Sequence, residues 1–125
     1  MSYDKNSVFA KILRGELSCD KVYEDGVAFA FRDIHPSAPV HVLAIPKGEY
    51  VSFEDFIQNA GPQVVFSFFE SVKNITQHLQ LEKTGYRLII NHGKNGLQTV
   101  PHFHIHLLGG KKLGPLIVDD SYHCS

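Results

Sequence analysis

Eight residues of this chain are histidines, and three of them alternate in one short run. His102, His104 and His106 are separated by Phe103 and Ile105 and followed by Leu107 and Leu108. In a β-strand successive side chains point to opposite faces, so the imidazoles would share one face and Phe103, Ile105 and Leu107 the other. Same-face neighbours would then lie about 6.6 Å apart along the strand. Imidazole moves protons, binds metals and attacks electrophiles near neutral pH. A single histidine on an outer strand is ordinary. Three in alternation after a turn-rich loop, each ring needing partners for two nitrogens, imply an organised network.

Two chemistries fit such a network. Two histidines at i and i+2 on a strand could share a metal, with His41 from another strand as a third ligand. No carboxylate second shell is evident nearby, and the last triad histidine would be surplus. Alternatively, a neutral imidazole attacks phosphorus while its neighbours handle protons and charge. An imidazole of ordinary pKa, about 6.5, is largely neutral inside a cell and available to attack. Backbone N–H groups of the Gly-containing loop could stabilise charge developing on phosphoryl oxygens. This second reading uses all three histidines and requires no metal or other cofactor.

The elements that must position these rings are legible from patterning. Ser7 is a helix N-cap for a short helix over 8–14, with Val8, Phe9, Ile12 and Leu13 at helical spacing and Gly15 closing it. Lys21 to Glu24 and Val27 to Phe31 are strand-like, joined by the hairpin signal Asp25-Gly26. Pro36 and Pro39 mark a rigid loop, and Val40 to Ile45 forms a third strand. Ser52 caps a helical turn over 53–59. The longest helical pattern follows Gly61-Pro62, with Val64, Val65, Phe68, Val72, Ile75 and Leu79 at three- and four-residue intervals. Phe66 and Phe69 widen that stripe, which suits either deep packing or a dimer contact. Tyr86 to Asn91 and Phe103 to Leu108 complete five strands. Hairpin-length connections favour an α+β fold: an antiparallel sheet with helices packed on one face.

Composition removes other classes. A net charge of −1 leaves no broad field to hold nucleic acid or an anionic membrane. No stretch approaches a membrane span, and the N-terminus is too polar for a signal peptide. Cys19 and Cys124 form no recognisable framework and are simplest as free thiols, so a cytoplasmic location is expected. One domain over residues 1–110 with a tail over 111–125 fits the length.

The run His102 to Leu108 resembles the H-φ-H-φ-H-φ-φ signature of the histidine triad (HIT) family. Phe31-Arg32-Asp33-Ile34 and the stretch Pro36 to Lys47 are similar to the family's D-I-x-P-x-A-P-x-H-x-L-x-I-P-K segment, as is the loop from Asn91 to Thr99. Most of residues 5–110 align in order, closest to the Hint branch of purine nucleoside phosphoramidases. The resemblance implies that His104 is the nucleophile forming a nucleotidyl-histidine intermediate. It implies that His102 and His106 position it and touch phosphate oxygens, with His41 in the same network. Asp33 would bind the ribose hydroxyls. Ile34, Phe9, Ile12 and Leu17 would form the base slot, and Asn91, Gln98 and Thr99 would bind phosphate, Thr99 standing where Hint proteins commonly have serine. A homodimer with one continuous sheet across two subunits is expected too. The implied substrate is a purine nucleotide, an AMP derivative such as adenosine 5′-monophosphoramidate. Rivals are dinucleoside polyphosphate hydrolysis and a regulatory nucleotide-binding module with weak catalysis.

The chain also departs from the family. Ser7 and Ala10 occupy positions of a C-x-x-C zinc motif found in some bacterial members, so no structural zinc is expected. Leu97 stands at a loop position that is often glycine and is expected to narrow the phosphate pocket. The chain has no tryptophan, whereas typical Hint tails carry one, so leaving-group preference does not carry over. His35 and His78 are expected at the surface, His123 in the polar tail, and His92 at the start of the phosphate loop.

Overall fold

Ser7 begins the first element as its residue type suggests. Its hydroxyl accepts the Ala10 N–H at 3.1 Å and caps α1 (Val8–Leu13). The computed structural model describes residues 2–117; His123 and Cys124 lie outside them, and Cys19 is free among the described residues.

Asp25 makes the hairpin between β1 (Lys21–Glu24) and β2 (Ala28–Arg32). Its carboxylate accepts the N–H groups of Val27 and Ala28, both at 2.8 Å. The other carboxylate oxygen accepts the hydroxyls of Tyr23 and Ser71, pinning the turn to the long helix α3 (Pro62–His78). β3 (Val40–Pro46), β4 (Tyr86–Ile89) and β5 (Ile105–Gly109) complete one antiparallel sheet in the order β1-β2-β3-β5-β4. α2 (Phe53–Asn59) is capped by Ser52, as its sequence predicts.

One sheet face carries Ala28, Ala30, Val42, Ala44, Ile105 and Leu107, packed with Phe68, Val72 and Ile75 of α3 and Phe56 of α2. Alanines facing one another across β2 and β3 leave room for the aromatic layer above. Phe103 stacks on Phe56 within it, ring centroids 4.8 Å apart and planes 18° from parallel. Of the two extra phenylalanines in α3, Phe69 packs against this core, whereas Phe66 is 66% exposed.

The expectation that helices pack on one face is corrected. Phe9 and Ile12 of α1 join Phe31, Leu43 and Ile45 on the opposite face. The cause lies in β3, whose residues are apolar at both parities apart from His41, so a sheet bare on one side would leave Leu43 and Ile45 in water. β5 begins two residues later than its alternation predicts, because bends at Pro101 and His102 delay pairing, and β4 stops at Ile89 rather than Asn91. No helix among the described residues is long and apolar enough to cross a membrane.

Candidate active site

Pairing between β3 and β5 sets the site. Leu43 lies opposite His106 and His41 opposite Leu108, so His41 and His106 share the α1 face as diagonal neighbours. Their rings meet through His41 Nε2 and His106 Nδ1 at 2.9 Å. The Ser37 N–H donates to His41 Nδ1 at 3.0 Å, so in the neutral ring the proton sits on Nε2 and His41 is the donor to His106. That leaves a neutral His106 with its own proton on Nε2.

His104 is fixed in the opposite sense. Its Nδ1 lies 2.7 Å from the carbonyl oxygen of His102, a partner that can only accept. The proton is therefore on Nδ1, and Nε2 keeps its lone pair. His102 itself is fully buried: Tyr3 Oη lies 2.9 Å from its Nδ1, and its Nε2 lies 3.2 Å from the Pro46 carbonyl oxygen. Because the carbonyl only accepts, His102 donates from Nε2 and accepts the tyrosine hydroxyl at Nδ1. Phe103 anchors the segment between these two histidines, with its N–H donating to Tyr50 O at 2.7 Å and its ring in the core.

His104 and His106 line a cavity of about 500 Å³ on the α1 face, within the usual range for small-molecule sites. Most of the expected residues meet there: Phe9, Ile12 and Leu17 from α1 and the turn after it, Asp33 and Ile34 from the β2–β3 loop, and Asn91 and Thr99 from the β4–β5 loop. His35, expected only at the surface, also borders it. Three expected residues stand elsewhere. His102 turns into the protein and is absent from the lining, and His41 sits behind His106. Gln98 spends its amide on the loop, accepting the Gly93 N–H and donating to the Val51 and Val100 carbonyls. It borders a separate, smaller cavity with His92.

Burial controls the charge of these rings. Desolvation pushes His102 and His106 down to about 4 and also lowers His104 and His41. Asp33 opposes the trend at His104, His106 and His41, and its carboxylate stands 3.4 Å from His41 Nε2. The site thus holds neutral imidazoles at neutral pH. Asp33, His41 and His106 present three ligand-type atoms within 4.8 Å of one another, a spacing that could accommodate a divalent ion, although His41 and His106 already satisfy each other.

A HIT domain model matches residues 14–113. The chain belongs to the HIT family. A HIT-like protein of Azospirillum brasilense is 46% identical, over 93% of this chain and 95% of its own. The purine nucleoside phosphoramidase of Escherichia coli K12 is 38% identical, over 90% and 94% respectively. The solved structure of a HIT family hydrolase from Clostridium thermocellum superposes with a TM-score of 0.83 at 40% identity, covering 92% of this chain and 99% of that one.

Within this HIT site, the patterning missed Tyr3 and the backbone groups of Ser37, His102 and Pro46, each of which sets a histidine tautomer. Side-chain spacing carries no signal for a backbone partner. Phe31 and Leu43, also in the cavity wall, were within reach, because strand parity puts them on the His41 face.

Proposed function

We propose that this HIT protein hydrolyses nucleoside 5′-phosphoramidates, of the adenosine 5′-monophosphoramidate type, through a covalent nucleotidyl-His104 intermediate. The observation that carries this reading is the bond from His104 Nδ1 to the His102 carbonyl oxygen, which leaves the other ring nitrogen unprotonated in a ring that borders the cavity. Homology to a purine nucleoside phosphoramidase supports the reaction class.

In the first step the His104 Nε2 lone pair forms a bond to phosphorus while the bond from phosphorus to the amine nitrogen breaks. The amine leaves with that electron pair and takes the proton of the Thr99 hydroxyl as it goes. His106, held in its Nε2–H form by His41, donates to a phosphoryl oxygen, and the loop N–H groups near Asn91 help to hold that charge. The intermediate is an N-phosphorylated imidazolium. Its Nδ1–H remains on the His102 carbonyl, a bond that strengthens as the ring gains positive charge. Water then forms a bond to phosphorus and gives a proton back to the Thr99 oxygen, while the bond from phosphorus to Nε2 breaks, its electron pair returns to neutral His104, and the nucleoside monophosphate is released. Asp33 accepts the ribose hydroxyls, and Phe9, Ile12, Leu17 and Ile34 receive the purine. No step requires a metal.

The protein acts as a homodimer in this reading. Among the described residues β4 is an edge strand, and the exposed Tyr86 and Leu88, with Ile90 just beyond its end, give it an apolar face suited to a second copy. A cytoplasmic location is part of this reading, Cys19 being free among the described residues.

The test is turnover of a fluorogenic adenosine phosphoramidate by wild type and His104→Ala. Loss of about a thousandfold or more, with AMP binding retained, is expected. Equal rates would sink the assignment, and faster turnover of a dinucleoside polyphosphate would move the chain to a different hydrolase class.

A further inference from the structure

Among the described residues only Gln80 and Leu97, besides glycines, have positive φ, both at 59°. Gln80 follows the C-terminus of α3, where such a conformation ends a helix. Leu97 has no such excuse. A branched, bulky residue is disfavoured there, and glycine would take the turn without strain. The same loop uses glycine where space demands it: a Cβ on Gly96 would lie 2.5 Å from the His92 carbonyl oxygen.

Leu97 is held firmly in this conformation. Its N–H donates to Lys94 O at 3.1 Å and the next N–H, of Gln98, to Gly93 O at 3.0 Å. Asn91 Nδ2 donates to Gly96 O, and the Gln98 amide ties the loop to Val51. Burial does not explain the leucine, since it is 78% exposed. It nevertheless borders the main cavity together with Thr99, His104 and His106. A large apolar side chain kept at a strained position on the rim of a site points to a ligand contact.

Chain position tells which part of a ligand it meets. The apolar wall formed by Phe9, Ile12, Leu17 and Ile34 comes from α1, the turn after it and the β2–β3 loop, whereas Leu97 belongs to the loop that carries Asn91 and Thr99, two residues before the threonine. With His104 as the nucleophile, this would put Leu97 at the phosphorus end of a bound substrate, near the group bonded to phosphorus.

We infer that Leu97 is a specificity-determining residue for the leaving group, favouring phosphoramidates whose amine carries an apolar body, such as an arylalkyl amine, over those that release ammonia. This rests on the phosphoramidase reading above. The isobutyl group loses water against the apolar part of the amine; ammonia has nothing to set against it.

Rates on two substrates decide the matter: adenosine 5′-monophosphoramidate and its N-(2-arylethyl) derivative, each with wild type, Leu97→Ala and Leu97→Gly. The ratio of kcat/KM values, arylethyl over unsubstituted, should fall about tenfold in Leu97→Gly and less in Leu97→Ala, the scale expected for partial loss of an apolar contact. Glycine suits the φ at this position, so the variant folds, and an unchanged thermal midpoint checks that it has. An unchanged ratio in Leu97→Gly, with wild type active on both substrates, overturns the inference while leaving the phosphoramidase reading intact. Wild type inactive on both overturns the reading and the inference with it.

Discussion

Tyr3 and His102, 99 positions apart in the chain, share a hydrogen bond of 2.9 Å. It closes a line that runs from the N-terminal segment to His104. Tyr3 holds His102 in its Nε2–H form, that proton goes to the Pro46 carbonyl, and the His102 backbone oxygen takes the proton side of His104. Tyr3→Phe keeps the ring that sits 5.4 Å from the imidazole but leaves Nδ1 of a buried histidine without a donor. Unfolding in urea should show a loss of about 1–2 kcal/mol. The kcat should drop while KM holds, because the loss acts on the orientation of His104 and not on the cavity walls. A variant as stable and as fast as wild type would dissolve this line.

The buried imidazoles make both rate and stability depend on pH. As the proposed nucleophile His104 must be neutral to attack, and burial lowers its pKa, so the acid limb should move below the usual imidazole range. The kcat/KM should stay level through neutral pH, with its acid limb below the ordinary imidazole value of about 6.5. An acid limb at or above the ordinary imidazole value would contradict the neutral, desolvated nucleophile.

Stability follows the same logic with a different partner. His102 is held at about 4 in the folded protein, against about 6.5 when unfolded. Between those values the unfolded chain binds the proton first. This contribution is therefore whole above about pH 6.5 and is lost as pH falls towards 4, reaching about 3 kcal/mol. His106 adds to the trend but less per proton, since it opens onto the cavity and solvent screens it. Urea midpoints measured at several pH values for wild type and His102→Gln should show a shallower slope in the variant; equal slopes would remove His102 as the source.

These relationships show what the amino-acid pattern could and could not convey. Alternation correctly put Phe103, Ile105 and Leu107 in the core, because side-chain parity persists even where ladder pairing has yet to begin. Asp25-Gly26, Ser7 and Ser52 announced their turn and caps, since each is satisfied within a few residues. His102, expected to touch phosphate, is instead fully buried outside the cavity lining, for the converse reason. Its orientation is decided by Tyr3 and by Pro46, both remote in sequence, and its chief service to His104 is a backbone carbonyl. Gln98 was expected at the phosphate, but both ends of its amide are consumed in bracing its own loop. The second helical face escaped notice because α1 is short, although the doubly apolar β3 did signal a sheet buried on both sides.

Metal removal separates the two chemistries that the histidines first suggested. His104 keeps its lone pair through a carbonyl, and His41 and His106 satisfy one another through Ser37. Dialysis against a chelator should therefore leave phosphoramidate turnover unchanged. Stoichiometric zinc in the purified protein, lost together with activity and restored by adding zinc back, would return the cluster to a metal centre.

The edge of the sheet yields the last expectation. β4 pairs on one side with β5, and among the described residues its other backbone edge has no strand beside it. Tyr86 and Leu88 of this strand are each 41% exposed and Ile90, just past its end, 38%, and Leu88 pairs with core residue Leu107. An apolar, unprotected edge tends to pair with a second strand, and a copy of the same strand would extend the sheet through a two-fold axis. Sedimentation equilibrium should show wild type as a dimer and Leu88→Lys weakened by about a hundredfold or more, since an ammonium at the seam would lose its water without gaining a partner. A preserved thermal transition in the variant would rule out simple unfolding. Monomeric wild type, or a Leu88→Lys dimer as tight as the original, would show that β4 does not carry the contact.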